Sequence, residues 1–93
     1  GSPRAAPPRQ RALKIARSEI EALRAGGYDA LPASGPFTDP LLNSLASGSA
    51  SVAITVYDAQ TNRADVTVTW TGTGSVVRTV SLTTLIAQNS ELP

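Results

Sequence analysis

The spacing of apolar residues changes along this chain, from every third or fourth position near the amino end to every second position in the second half. Between residues 9 and 25 the spacing is that of one face of an α-helix. The residues of this stripe are Ala12 or Leu13, Ala16, Ile20 and Leu23, and Ile15 and Ala22 widen it. Gly26 and Gly27 follow, and glycine supplies the left-handed position at which many helices end. The sequence therefore predicts an amphipathic helix over residues 9–25.

From residue 50 onward, apolar residues alternate with residues that carry hydroxyl groups, which is typical of strands with one buried face. Three such runs cover residues 50–58, 63–71 and 76–87, and the second turn between them is the glycine-bearing TGTGS at 71–75. The side chains predicted to face inward are Ile54, Val56, Val66, Val68, Trp70, Val80 and Leu82. Consecutive runs joined by short turns predict an antiparallel β-meander over residues 50–86.

Together the two patterns predict an α+β fold, with one N-terminal amphipathic helix packed on a three-stranded antiparallel β-meander. A sheet with one apolar face has to bury that face, and the helix offers the matching apolar stripe. Residues 28–49 are rich in Pro, Gly and Ser, and they predict a connecting loop with a short helical turn at 39–45. The loop also holds six large apolar residues, so we expect it to pack over an edge or face of the fold.

The chain is short enough for one small domain, predicted to span residues 9–93. Residues 1–8, GSPRAAPP, are expected to be a disordered lead-in. Gly1 and Ser2 are interpreted as a remnant of tag removal, and the absence of Met as the sign of a trimmed or processed chain. The tail after the last strand is expected to fray.

The residue types that carry most enzymatic and metal chemistry are missing from this sequence. The 93 residues include no Cys and no His. Without Cys there is no disulfide framework, no thiolate nucleophile and no common zinc site. Without His the commonest general base is lost, and no Gly-rich phosphate loop precedes a helix. The sequence therefore predicts a protein that is not an enzyme, with no catalytic residues and no cofactor.

Three oxygen donors, Asp58, Asn62 and Asp65, fall within eight residues around the first turn of the meander. A calcium site is one interpretation of this group. Their spacing matches no known calcium loop, and Asp and Asn are also common turn residues. A polar hairpin turn is therefore the preferred interpretation, and no metal is predicted.

The net charge of +1 conceals an uneven distribution along the chain. Six basic and two acidic residues fall among residues 1–24, whereas two basic and five acidic residues follow. The basic residues of the helix are Arg9, Arg11, Lys14 and Arg17. Such an asymmetry indicates either an end of the domain that faces nucleic acid or lipid, or an ordinary solvated helix face.

Two stretches resemble type IV pilin-like proteins. RALKIARSEIEALRAGGYDAL, at 11–31, is similar to the exit of their long N-terminal helix, where a Glu-(Ala)-Leu-Arg element precedes a small-residue break and Tyr-Asp. VTVTWTGTGSVVRTVSLTTLIA, at 66–87, resembles the last hairpin of minor pilins of the pilus-modification type and of type II secretion minor pseudopilins. The resemblance covers about half of the chain, and it implies a truncated pilin fold.

The resemblance implies a structural subunit of a type IV pilus or related filament, which acts by assembly or priming and by surface presentation. Members of this class lose a leader to a prepilin peptidase, and an apolar N-terminal helix then holds them in the inner membrane and later in the filament core. We expect that segment upstream of Pro3. Many relatives carry a C-terminal disulfide loop, and this chain departs from them because it has no Cys.

The resemblance also implies the partners and the location. The expected partners are other pilin or pseudopilin subunits and the inner membrane, and the four basic helix residues would lie beside the filament core. The alternative is a nucleic-acid-binding module of a DNA-uptake filament, in which these residues contact phosphates. The expected location is the inner membrane before assembly and an extracellular or periplasmic filament afterwards.

Overall fold

The computed structural model describes residues 6–88, which form one helix followed by an antiparallel sheet. The elements are α1 (Pro8–Gly26), β1 (Gly35–Pro36), β2 (Ser49–Asp58), β3 (Thr61–Thr71) and β4 (Val77–Ala87). The sheet order is β1-β2-β3-β4, and each strand is antiparallel to its neighbour. The α+β class is confirmed. The sheet contains the three predicted strands and a fourth, short strand, β1. The first five residues of the predicted lead-in, which include the tag remnant, and the end of the predicted frayed tail lie outside the described residues. The last lead-in residue, Pro8, belongs to α1.

A proline lies at the start of helix α1, and a glycine lies at its end. Pro8 occupies the first turn, where its missing N–H would have no partner in any case. At the other end, Gly27 adopts φ +83°, and its N–H donates to the carbonyl of Leu23 at 3.1 Å. Residues with a Cβ rarely adopt this conformation, so the glycine ends the helix. The helix predicted over 9–25 is confirmed, with one extra residue at each end.

The buried face of α1 is rotated slightly from the predicted stripe. Its buried residues are Ala12, Ile15, Ala16 and Leu23. The predicted burial of Ala16 and Leu23 is confirmed, whereas Leu13 and Ile20 are half-buried at the margin of the core. The two alanines let the helix backbone approach the sheet closely, because they place no large side chain between the layers. The helix packs chiefly on β3 and β4.

The apolar face of the sheet is centred on β3. Its buried side chains are Ala50, Val52, Ala64, Val66, Val68, Trp70, Val80 and Ile86. The predicted burial of Val66, Val68, Trp70 and Val80 is confirmed, and Ile54 and Leu82 are partly buried against the same core.

The predicted burial of Val56 is wrong. Its side chain is 79% exposed although it follows the same alternation as Val52 and Ile54. Val56 pairs with Asn62, beside the irregularity in register that precedes Asp58 at the end of β2. Because α1 lies chiefly on β3 and β4, this end of β2 extends past the covering layer and meets solvent.

The loop between α1 and β2 completes the core on the β2 side. The predicted helical turn at 39–45 is a 3₁₀ segment, Pro40–Ser44, and the Asp39 carboxylate accepts the Leu41 N–H at 2.8 Å. Leu45 is buried, and five other loop residues pack against the core. These are Tyr28, Leu31, Phe37, Leu41 and Leu42. The prediction that this loop packs over the fold is confirmed.

The opposite face of the sheet presents hydroxyl groups to solvent. Register places Ser51, Thr67 and Ser81 side by side on three strands. The Thr67 and Ser81 hydroxyls lie 3.2 Å apart, and those of Thr69 and Thr79 lie 3.3 Å apart. Paired hydroxyls of this kind stabilise adjacent strands modestly and keep the surface polar without charge.

Candidate functional site

The basic residues of α1 do not all project freely into solvent. Arg9, Lys14 and Arg17 are exposed. Arg11 is partly buried, and its guanidinium donates to the Ser44 carbonyl at 2.7 Å and to the Ala6 carbonyl at 3.0 Å. Arg11 therefore ties the helix to the 3₁₀ segment of the loop. Arg11 has a structural role here, and the contact role predicted for all four residues stays a prediction.

The four basic positions are also spread around the helix. At about 100° per residue, Arg9 and Arg11 lie on opposite flanks, with Lys14 and Arg17 between them on the outer face. A depression on this outer face is lined by polar and charged side chains, among them Gln10, Ser18 and Glu21, and by the apolar side chains of Leu13 and Leu41. Because Glu21 lies in the same depression, the outer face is a mixed polar surface rather than one compact cationic patch. Its chemistry is that of a contact surface.

A different grouping appears on the flank of α1 that faces away from the loop. Arg9, Leu13, Arg17, Ile20 and Arg24 recur at intervals of three or four residues. The arginines are exposed, and Leu13 and Ile20 are half-buried. Arg24 was not among the predicted contact residues. The interval between these arginines is visible in the sequence. Which side of the sheet they lie on depends on how the helix packs in the fold.

Glu19 is the acidic residue on the inner side of the helix. As expected for residues two positions apart, Glu19 and Glu21 point in different directions, and Glu19 is half-buried whereas Glu21 is exposed. Burial raises the pKa of the Glu19 carboxyl above its ordinary value, and the charge of Asp39 raises it further. The ionised carboxylate is therefore less favourable in the folded protein than in the unfolded chain.

Replacing this carboxyl is expected to stabilise the protein at neutral pH. Because the folded pKa of Glu19 is raised, the folded state loses stability as pH rises from the ordinary value near 4.5 through the folded pKa. Glu19→Gln removes this loss, so its free energy of unfolding should exceed that of the unmodified protein at pH 7. The two proteins should converge below about pH 4. Urea unfolding at several pH values measures the difference.

Asp65→Asn is the matched control, because the effect on Asp65 has the opposite sign. A hydrogen bond from the Thr83 hydroxyl lowers the pKa of Asp65, and Arg63 lowers it further through a hydrogen bond and its charge. The carboxylate therefore stabilises the fold above its ordinary pKa, and this contribution is lost as pH falls through the lowered value. Asp65→Asn should weaken the protein at pH 7. Two variants with the same sign of effect would contradict this account of Glu19.

The three oxygen donors considered for calcium do not converge. Asp58 accepts the N–H of Gln60 at 2.9 Å and so shapes the β2–β3 turn, as the turn interpretation predicts. Asn62 and Asp65 are three residues apart on β3, so they project from opposite faces of the sheet. Asp65 is instead bound to Thr83 and Arg63 within the hydroxyl face. Within residues 6–88 the structure contains no cluster of acidic, His or Cys side chains with the arrangement of a metal site.

Neither hydropathy nor similarity to known proteins adds a functional assignment. Across residues 6–88, no helix is both long and apolar enough to traverse a lipid bilayer. Comparison of the chain with protein-family models, curated proteins and solved structures found no match in any of the three. The functional inference therefore rests on the geometry of the helix and sheet and on the two stretches of resemblance.

Proposed function

We propose that this domain is the soluble part of a structural filament subunit of the type IV pilin-like class, a minor pilin or minor pseudopilin. The observation that carries the proposal is the one-sided use of α1. The helix covers the sheet with its inner face, and its outer face stays open to a further partner. A subunit that packs by its N-terminal helix requires this arrangement. The resemblance of residues 11–31 and 66–87 to pilin-like sequences supports it.

In this proposal the subunit works by packing rather than by chemistry. An apolar segment of about 20 residues upstream of Pro3 would anchor the subunit in the inner membrane and enter the filament core. The outer face of α1, with Lys14 and Arg17, would contact neighbouring subunits. The hydroxyl face would point outward, where uncharged Ser and Thr side chains suit exposure to an extracellular or periplasmic environment.

The experiment uses the full-length protein in its own cells, together with the coding sequence upstream of Pro3. These 93 residues contain no cysteine, so an introduced cysteine is the one thiol within them. We expect an upstream apolar run that supports membrane fractionation. We also expect Lys14→Cys to cross-link to neighbouring subunits in sheared filaments. Ser51→Cys, exposed on the hydroxyl face, is the matched control and should instead react with a maleimide in intact filaments.

Two outcomes would contradict the proposal. One is a coding sequence without an apolar run, and the other is equal maleimide labelling at the two introduced cysteines in every fraction.

The competing proposal, DNA binding, draws on the exposed Arg9, Lys14 and Arg17. It requires duplex DNA to bind the isolated domain at about 50 mM salt, with affinity that falls steeply towards about 200 mM. Under the filament proposal, Lys14→Glu should disturb filament assembly, and the unmodified domain should show no salt-dependent DNA binding.

A further inference from the structure

The two edges of the sheet are protected differently. On the β2 side, β1 pairs with β2, and the Phe37 N–H donates to the Ala50 carbonyl at 3.0 Å. The Ser34 hydroxyl also accepts the Ile54 N–H at 2.8 Å and donates to the Ile54 carbonyl at 3.3 Å. Short strands and bound side chains of this kind prevent another chain from extending the sheet.

The outer edge of β4 has no such protection. Among residues 6–88, β4 pairs with β3 alone. The strand is 11 residues long, contains no proline and carries one charge, Arg78. No register irregularity interrupts its pairing with β3. A long, regular and weakly charged edge is a template for an additional strand.

The hydrogen-bond pattern shows which backbone groups of β4 are available. Bonded and non-bonded residue pairs alternate along an antiparallel ladder. The Gly72 N–H donates to the Val76 carbonyl, and the Gln88 N–H donates to the Gln60 carbonyl, each at 2.6 Å. These two bonds, at opposite ends of the β3–β4 hairpin, fix the alternation. It follows that the residues whose N–H and C=O point outward are Val77, Thr79, Ser81, Thr83, Leu85 and Ala87.

The flank of α1 that holds Arg9, Leu13, Arg17, Ile20 and Arg24 lies above this edge. At about 100° per residue the five positions fall within about 80° of arc, on the side of the helix opposite the 3₁₀ segment that Arg11 binds. Arg9 borders the same depression as residues 77–79, and Arg24 borders the same depression as residues 85–87. The flank therefore follows β4 from its beginning to its end.

The spacing along this flank is close to that of an extended strand, although slightly shorter. Steps of three or four helical residues are about 4.5–6 Å long, and residues on one face of a strand are about 6.6 Å apart. From Arg9 to Arg24 the helix advances about 22 Å, which a strand of about eight residues spans. The flank alternates cationic and apolar side chains. A strand beneath it would be complementary if it alternated acidic and apolar side chains on its upper face.

We propose that the β4 edge and this helix flank together bind an extended segment of another protein, one that alternates acidic and apolar residues on the side facing the helix. A second copy of this chain fits less well. Antiparallel pairing of two β4 strands would place both helices on one face about 10 Å apart. That arrangement gathers six arginines along one seam, and the acidic residues that border each flank, Glu21 and Asp29, are fewer than its three arginines. The proposed surface shares Arg17 with the outer face of α1, but the proposal does not depend on the filament assignment.

The test uses the 93-residue chain and two synthetic peptides. The first is Thr-Glu-Thr-Val-Thr-Glu-Thr-Val-Thr-Glu-Thr, and the second has Lys in place of each Glu. We expect the Glu peptide to bind at least about tenfold more tightly than the Lys peptide. In amide hydrogen exchange, Thr79, Ser81 and Thr83 should gain protection on binding, because their N–H groups point outward. Val80 and Leu82 should not change, because their N–H groups already bond to β3.

Two sets of variants separate edge pairing from electrostatic attraction alone. Ser81→Pro removes an outward N–H and leaves the β3–β4 ladder in place, so the Glu peptide should lose its binding. The double variant Arg17→Glu and Arg24→Glu changes two exposed side chains, and it should reverse the preference in favour of the Lys peptide. This reversal tests the proposal even if Ser81→Pro does not fold.

Some results would overturn the proposal. Equal affinity for the two peptides would show that the arginine flank does not select the partner. Protection confined to amides outside β4 would show that the edge is not used. A concentration-dependent dimer in analytical ultracentrifugation that Ser81→Pro abolishes would identify a second copy as the occupant. None of these measurements involves membranes or filaments, so they succeed or fail independently of the filament proposal.

Discussion

Trp70→Ala is expected to lower the free energy of unfolding by about 3–5 kcal/mol. Trp70 is the one tryptophan of the chain, and its side chain is 5% exposed. It ends the buried row of β3, and a surface depression there is bordered by Trp70, Pro7, Pro8 and Arg9. Truncation to alanine removes the largest side chain of the core where α1 meets the sheet.

The size of this effect is decisive because the domain is small. Domains have total stabilities of about 5–15 kcal/mol, and a chain of this length is expected near the lower limit. The loss should therefore leave a substantial unfolded fraction at 37 °C. Urea unfolding followed by far-UV circular dichroism measures it, since tryptophan fluorescence is lost in the variant. Trp70→Phe, which keeps an aromatic ring, is the control and should lose less. An unchanged urea midpoint in Trp70→Ala would contradict the burial of this side chain.

Local periodicity accounts for most of the secondary structure and for the centre of the core. The helix and the three long strands follow from the two apolar periods, because each period depends on residues close in sequence. Val66, Val68 and Trp70 were predicted correctly since β3 is the central long strand and its alternation coincides with the covered face. The glycine at the end of α1 fixed the helix boundary by its backbone conformation alone.

The errors occur where burial depends on the extent of a neighbouring layer. Val56 obeys the alternation of β2, but its exposure is set by how far the helix and the loop reach across the sheet. The two-residue strand Gly35–Pro36 has no period to detect, and it pairs because the loop runs beside β2. The helix period left Ala12 and Leu13 as alternatives at the start of the stripe, and close contact with the sheet buries the smaller Ala12. Ile20, which was also predicted to face the sheet, is half-buried at the margin of the core.

The candidate contact surfaces were predictable only in part. Exposed cations on α1 follow from the charge distribution, but the engagement of Arg11 by Ser44 joins residues 33 positions apart and has no local signal. Similarly, the interval from Arg9 to Arg17 and Arg24 is visible in the sequence. Its relation to the free edge of β4 requires the strand order and the position of the loop, which depend on long-range contacts.

Ile15→Ala is expected to lower the free energy of unfolding by about 2–5 kcal/mol. Ile15 is 1% exposed in the contact between α1 and the sheet, so truncation leaves a cavity in a fully enclosed site. Ile20→Ala makes the same chemical change five residues later on the same helix. Because Ile20 is half-buried at the margin of the core, its loss should be about 1 kcal/mol. Urea unfolding of both variants measures the difference.

This pair isolates burial from other effects of the substitution. Both changes replace isoleucine with alanine inside α1, so the gain in helix propensity is about the same and cancels in the comparison. Equal losses of unfolding free energy in the two variants would mean that Ile20 is as deeply buried as Ile15. The helix flank above β4 would then be buried against the sheet. A small loss at Ile20 leaves that side chain available to a strand on the β4 edge. A small loss at Ile20 is therefore a result that the proposed strand-binding surface requires, and the peptide measurements test the binding itself.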